Sequence, residues 1–219
     1  MHIYFLPITS SAISTKDSLL LQQISQARRE KVLRYRSELD KKLSLYAEAL
    51  SRMGFSQITG TPPWDLEFCY PEHHKPTIKN APDYDFSYSH THSAILCAIT
   101  DTGKIGADIE KLREAPFSVM KRVFHESEMQ YVQNGNPSVS NRRFFEIWTK
   151  KEAYTKYLGI GLATRLSDIN TLSSELSPHF KTWSQNEYVC SVYSDKLLFS
   201  EPILLTEEEV CAYLINTLP

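Results

Sequence analysis

Asp108 and Glu110 stand two residues apart in Gly106-Ala107-Asp108-Ile109-Glu110, and Glu152 lies about forty residues later in Trp148-Thr149-Lys150-Lys151-Glu152-Ala153-Tyr154-Thr155-Lys156. In an extended strand, residues i and i+2 share a face, so the first two carboxylates can converge on one hard cation. The third carboxylate is ringed by lysines, whose ammonium groups suit phosphate oxygens. Taken singly the pieces are ordinary. An Asp-x-Glu pair on a half-exposed strand is usually a solvated face, and a Glu-x-x-x-Lys pair on a helix contributes only about 0.2–0.5 kcal/mol. Together, three acids and three lysines make a donor set for a divalent cation that holds a phosphate.

Two further segments carry groups of the same chemistry. His74-Lys75-Pro76 offers a mobile point charge, and Phe86-Ser87-Tyr88-Ser89-His90-Thr91-His92 offers a hydroxyl and an imidazole that can donate hydrogen bonds to phosphate oxygens. His90 and His92 form a His-x-His pair, but no cysteine or third histidine stands at ligand spacing, so zinc is not expected.

These residues need elements to hold them. Met1 to Pro7 reads as a first strand. Leu19, Leu20, Ile24 and Ala27 give helical spacing over 15–29, and Leu43, Tyr46, Ala47 and Leu50 repeat it over 40–53. Leu66 to Tyr70 alternates as a strand. The segments 85–89, 93–100 and 105–110 suggest a three-strand meander with a turn at Asp101-Thr102-Gly103, in which Ile105, Ala107 and Ile109 face the core while Asp108 and Glu110 face a cleft. Helices are expected over 120–124, 126–132 and 141–158, the last capped by Gly159. There Trp148, Glu152 and Lys156 share one stripe, with Lys151 on its edge. A strand pair follows at 187–193 and 196–200, and Thr206-Glu207-Glu208-Glu209 opens a short terminal helix with a capping box. The recurrence of helices then strands predicts an α+β fold of two similar halves meeting near Asp108, with the cleft between them.

The 219 residues are 42% hydrophobic and 23% charged, an ordinary globular composition. A net charge of −2 excludes a globally basic nucleic-acid binder, although Arg28 to Arg52 holds eight basic residues against four acids. That segment fits an acidic partner as well as a solvated mixed-charge helix face. The apolar runs are far short of the ~20 residues of a membrane span. The start lacks a basic n-region and a long apolar core, so a cytoplasmic location is expected. Cys69, Cys97, Cys190 and Cys211 lie far apart, which predicts reduced, buried thiols.

The motifs resemble those of the 4′-phosphopantetheinyl transferases, specifically the monomeric, double-length, surfactin-synthetase-activating type. The resemblance covers most of the chain: the basic segment from Arg28 to Arg52, Lys75-Pro76, Phe86-x-x-Ser89-His90, Gly106-x-Asp108-x-Glu110, and Phe145-x-x-Trp148-x-x-Lys151-Glu152-Ala153-x-x-Lys156 followed by Gly159-x-Gly161-Leu162. It implies two pseudo-symmetric halves, 1–104 on the coenzyme A adenosine side and 105–219 carrying the metal-binding acids and the carrier-protein docking surface. The implied reaction transfers phosphopantetheine from coenzyme A to a serine of an acyl or peptidyl carrier protein, releasing adenosine 3′,5′-bisphosphate.

By the same resemblance, Asp108, Glu110 and Glu152 hold Mg²⁺, with Mn²⁺ equally suited to oxygen ligands. Lys151 and Lys156 bind phosphates, Lys156 also acts in catalysis, and Glu152 is the general base, directly or through a water. Coordination lowers a carboxylate's basicity, so the base assignment is the looser of the two. Ser89 and His90 contact the coenzyme A phosphates, Lys75 and Pro76 the adenine side, and Arg28, Lys31 and Ser44 the 3′-phosphate or its surroundings. The chain departs from the family pattern at His74, where glycine is common, and at Leu43, where arginine is common. Lys41 or Lys42 could stand in for that arginine. The carrier protein is expected to be acidic and helical, docking around Phe117 to Phe124 on a monomeric enzyme, and fatty-acid, polyketide and nonribosomal-peptide pathways stay open. The rival readings are a metal-dependent nucleotide phosphohydrolase and an inactive module that binds coenzyme A or a carrier protein.

Overall fold

The computed structural model describes residues 1–71, 75–159, 165–196 and 199–218. His74 and the Gly161-Leu162 motif lie outside the described residues. In chain order the elements are β1 (His2–Pro7), α1 (Thr15–Gln23), α2 (Gln26–Arg34), α3 (Glu38–Thr59), β2 (Phe68–Cys69), β3 (Thr77–Ile78), β4 (Asp85–Thr91), β5 (Ala94–Thr100), β6 (Ile105–Lys111), α4 (Met120–Val123), α5 (Glu126–Gln133), α6 (Pro137–Leu158), β7 (Phe180–Gln185), β8 (Tyr188–Ser194), β9 (Ile203–Leu204) and α7 (Glu207–Ile215).

The strands form two main sheets, ordered β4-β5-β1-β9 and β6-β8-β7, beside a small β2-β3 pair. In the first sheet β1 pairs antiparallel with β5, and in the second β6 pairs antiparallel with β8. Two helices, α3 and α6, have 22 residues each. Both are capped alike. Ser37 and Asn136 accept from the backbone N–H of Asp40 and Val139, and Gly60 and Gly159 end the helices at φ of 74° and 71°. This left-handed conformation costs glycine little and other residues more. The fold is α+β as expected.

The pleat of β6 decides where the site lies. Ile105, Ala107 and Ile109 are buried against Ile3, Phe5, Leu96, Cys190 and Val192, in a core closed between the two sheets. Gly106, Asp108 and Glu110 therefore face the other way, toward α6. A second core gathers Tyr4, Cys97 and Ile99 under α3, and a third packs Phe124, Val132, Phe144 and Phe145 between α4, α5 and α6. The terminal helix α7 opens with the expected capping box, Thr206 and Glu209 bonding reciprocally, while β9 pairs in parallel with β1.

Several expectations are corrected. The helix expected over 15–29 is two helices, because Ile24 turns extended and Ser25 N-caps α2 by accepting the Arg28 N–H. The three-strand meander stops at two strands: β6 leaves β5 and opens the second sheet. Of the strand pair expected at 187–193 and 196–200, the first strand is β8, which lies between β6 and β7, a strand whose half-exposed Phe-Lys-Thr-Trp-Ser-Gln gave no clean alternation, while residues 197–198 of the second lie outside the described residues. Cys97, Cys190 and Cys211 are buried free thiols, but Cys69 is exposed. No described helix is long and apolar enough to cross a membrane.

Candidate active site

The site is built on one close approach. A Cβ on Gly106 would lie 1.8 Å from the Ala153 carbonyl oxygen and 2.6 Å from the Tyr157 nitrogen, so only glycine lets α6 rest on the β6 backbone. That contact brings the stripe carrying Glu152 and Lys156 over Asp108. Lys156 Nζ donates to Asp108 Oδ1 at 2.7 Å and to the Ala107 carbonyl at 3.1 Å.

From the opposite side, β4 runs beside β6 while belonging to the other sheet, and its alternate side chains join the two. Asp85 accepts from the Ile105 N–H (2.8 Å) and Ser87 from the Ala107 N–H (3.0 Å), whereas Ser89 donates to Asp108 Oδ1 (2.7 Å) and Thr91 donates to Glu110 (3.4 Å). Asp85, Ser87 and Thr91 were not picked out from the sequence. Their signal was a polar residue at every second position of β4, which marks a face turned toward polar partners.

Asp108 is 4% exposed, and its Oδ2 is buried without a hydrogen-bond partner. Burial, and then the Asp108 charge, raise the pKa of Glu152 against the opposing pull of Lys156. Glu110 is raised by the same two causes, with Arg113, Thr91 and Lys156 opposing. The three carboxylates are thus electrostatic neighbours across the β6–α6 contact. Among the described residues, no three such side chains already converge on one point, because Oδ1 of Asp108 is held by Lys156 and Ser89, and Glu110 leans toward Thr91 and Arg113. The donor set still fits a hard divalent cation. An orphaned carboxylate oxygen, flanked by two carboxylates whose ionisation is opposed, is satisfied by one positive charge.

A cationic cluster adjoins the acids. His90 is pushed down to about 4, first by burial and then by the charges of Arg28, Lys156 and Lys31, with Asp40 opposing. The charges of three cations from α2 and α6 thus act on one imidazole of β4 and favour its neutral form. Arg28 is buried between the Tyr70 and Tyr88 rings, 5.4 and 5.7 Å from their centroids, and donates to the Ser44 carbonyl at 2.7 Å. Its Nε has no hydrogen-bond partner, since Glu48 lies 3.7 Å away, and the buried Ser44 hydroxyl has none either. Lys31 is exposed beside them, its pKa lowered by partial desolvation and by Arg28.

Other expected residues are placed differently. Lys75 turns its ammonium inward to Asp85 and the Ile105 carbonyl (2.6 Å), bracing β4 against β6, with half-buried Pro76 beside it. Lys151, expected on the phosphates, points away from the acids. It is 1% exposed and donates to the carbonyls of Leu166 (2.8 Å) and Ile169 (2.5 Å) and to Glu128 (2.7 Å). Lys150 sits over the Phe180 ring, so of the three lysines only Lys156 reaches the cluster. Leu43 is a core residue, and neither neighbouring lysine replaces an arginine there. Lys42 is buried against Asp17 and Glu207, and Lys41 pairs with Glu38.

Residues 104–214, just over half of the chain, match the model of the 4′-phosphopantetheinyl transferase superfamily. The chain belongs to that superfamily. A 4′-phosphopantetheinyl transferase of Bacillus subtilis is 29% identical over 211 residues, covering 89% of this chain and 94% of the relative. The transferase gsp of Aneurinibacillus migulanus is 31% identical over 147 residues (66% and 60%), and Sfp of Bacillus subtilis strain 168 is 28% identical over 170 residues (78% and 75%). The protein is accordingly a 4′-phosphopantetheinyl transferase, and the family match begins at the residue before β6 and spans the whole acid cluster.

Proposed function

We propose that this transferase moves phosphopantetheine from coenzyme A to the serine hydroxyl of an acyl or peptidyl carrier protein, with a divalent cation at Asp108, Glu110 and Glu152, acting as a monomer. The observation that carries the reading is the partnerless Asp108 oxygen lying between two raised carboxylates, beside the cations gathered around His90. One chain thus supplies adjoining sites for a cation and for phosphates. Residues 1–104 would hold the adenosine side through Arg28, Lys31 and Ser44, with Lys75 and Pro76 near the base, and 105–219 would carry the chemistry.

A divalent cation bound there supplies charge neutralisation at the pyrophosphate. Lys156 holds a positive charge where the bond to the adenosine bisphosphate breaks, and neutral His90 donates a hydrogen bond to a phosphate oxygen without adding net charge. Ser89 keeps Asp108 oriented. Glu152, its basicity raised by burial and by Asp108, accepts the serine proton, directly or through a water, as the hydroxyl oxygen attacks phosphorus.

The carrier protein fits a surface next to the acids. An open apolar cavity of about 330 Å³ is lined by Val119, Val123, Phe144, Phe145 and Trp148, with Arg113 and Arg122 at its rim. Arg113 also lies 3.9 Å from Glu110, and Phe117 is 43% exposed beside Phe144. Apolar walls with a basic rim suit an acidic helical partner.

Incubation with coenzyme A, Mg²⁺ and apo carrier proteins from fatty-acid, polyketide and nonribosomal-peptide systems tests the reading by mass spectrometry. The expected outcome is a mass gain of one phosphopantetheine group with release of adenosine 3′,5′-bisphosphate. Cleavage of coenzyme A without a carrier would instead mark a phosphohydrolase, and binding without turnover an inactive module.

A further inference from the structure

The Lys151 ammonium is buried and has three acceptors: Glu128 and the carbonyls of Leu166 and Ile169. Glu128, fully buried, is occupied in turn. One oxygen accepts from the His125 N–H at 2.7 Å, and the other from the Thr171 N–H (2.8 Å) and hydroxyl (2.7 Å). The Phe124 ring lies beneath the ammonium, 5.9 Å from Nζ. One ion pair therefore ties α6 to the corner between α4 and α5 and to the segment 166–171. A buried pair of this kind is poor evidence of stability in itself, because its desolvation cost rivals its attraction. It does fix geometry, since each member has only one arrangement that satisfies all of its partners.

That corner forms a wall of the apolar cavity. Val119 and Val123 stand on one side, and Phe144 and Trp148 of α6 on the other. Lys151 also precedes Glu152 directly in the chain. We infer that Lys151 is a positioning residue: through Glu128 and the 166–171 carbonyls it sets the spacing between the α4–α5 corner and α6, and so acts on carrier-protein recognition rather than on the phosphates of coenzyme A. This rests on the carrier-docking reading above. It opposes the phosphate contact that the family motif suggests for this lysine.

Two measurements test it. The first needs no carrier: acylation of surface amines in the wild-type protein, read by mass spectrometry. Lys151 should stay unlabelled with and without coenzyme A, whereas labelling in its absence and protection in its presence would overturn the inference. The second is steady-state kinetics of the Lys151→Met/Glu128→Met variant, which removes both charges and spares the fold an unpaired buried ion. The KM for a carrier protein that the wild type modifies should rise tenfold or more while the KM for coenzyme A stays within twofold. A tenfold rise for coenzyme A alone, or wild-type values for both, would overturn it. Should the double variant not fold, the labelling result decides. Should the wild type modify no carrier, the functional reading fails, and the labelling still reports where Lys151 points.

Discussion

The two 22-residue helices make the same approach to a sheet by opposite means. In the first contact the glycine is on the helix: Gly54 of α3 meets the Tyr4 ring and the Ile99 side chain, and the Tyr4 hydroxyl reaches Gln57 at 3.5 Å. In the second it is on the strand: Gly106 of β6 takes the backbone of α6 at Ala153 and Tyr157. Gly54 and Ala153 hold the same position counted from the first residue of each helix. With the glycine on the helix, an aromatic ring fills the contact and the core closes. With the glycine on the strand, the backbones touch, and the side chains on either side of the contact, Asp108 and Glu110 below and Glu152 and Lys156 above, are left to meet one another. One contact closes a core and the other leaves a site.

Replacing each glycine by alanine should have the largest effect. Gly106→Ala would force backbone against backbone and should cost about 3 kcal/mol or more together with all activity, whereas Gly54→Ala strikes side chains that can shift and should cost about 1–2 kcal/mol. Denaturant unfolding of both variants reads the difference, and equal losses would remove the asymmetry claimed here. Next in size, Glu152→Gln should lower kcat/KM by about 10²–10⁴-fold while leaving metal-free stability unchanged or slightly higher, because it removes a carboxylate that Asp108 opposes. A matching loss of stability would make Glu152 a structural residue.

Cation binding sharpens the same contrast. Glu110 and Glu152 have raised pKa values in the folded protein, so without a cation the stability owed to their protonated forms is lost as pH rises through those values. Mg²⁺ at a hundredfold excess over its Kd should therefore stabilise the wild type by about 2.7 kcal/mol, with a larger gain at neutral pH than near pH 5, and should not stabilise Asp108→Asn. Thermal melts read all three.

The effect of His90 is confined to acid pH. Its folded pKa of about 4 lies below the ordinary 6.5. Between pH 6.5 and 4 the unfolded chain binds the extra proton, and stability should fall by about 3 kcal/mol as pH falls through that window. A His90→Gln variant should show a flatter profile, and an unchanged slope would show that the imidazole does not sit among those cations.

The parts legible in the sequence were those set by local periodicity. The pleat of β6, the stripe on α6 and the Gly159 and Thr206 caps depend on spacing within one element, and they stand as read. The path of β6 into the second sheet was not legible, because nothing in a two-residue period says which neighbour a strand takes. Where Lys151 and Lys75 turn their ammonium groups was not legible for a related reason. A lysine in a basic motif reads as a free charge, and only the fold shows that Glu128 and Asp85 wait within reach. Glu128, twenty positions before Trp148, carried no sequence signal, since an acid in the first turn of α5 reads simply as a favourable helix start.

The proposed chemistry requires one cation bound at the contact between β6 and α6. Crystals of the protein with Mn²⁺ and coenzyme A, measured at the manganese edge, test it directly. A single anomalous peak within coordination distance of Asp108 Oδ2, Glu110 and Glu152, next to the pyrophosphate, is the predicted result. A peak held by other side chains, or none while coenzyme A is bound beside His90, would contradict it.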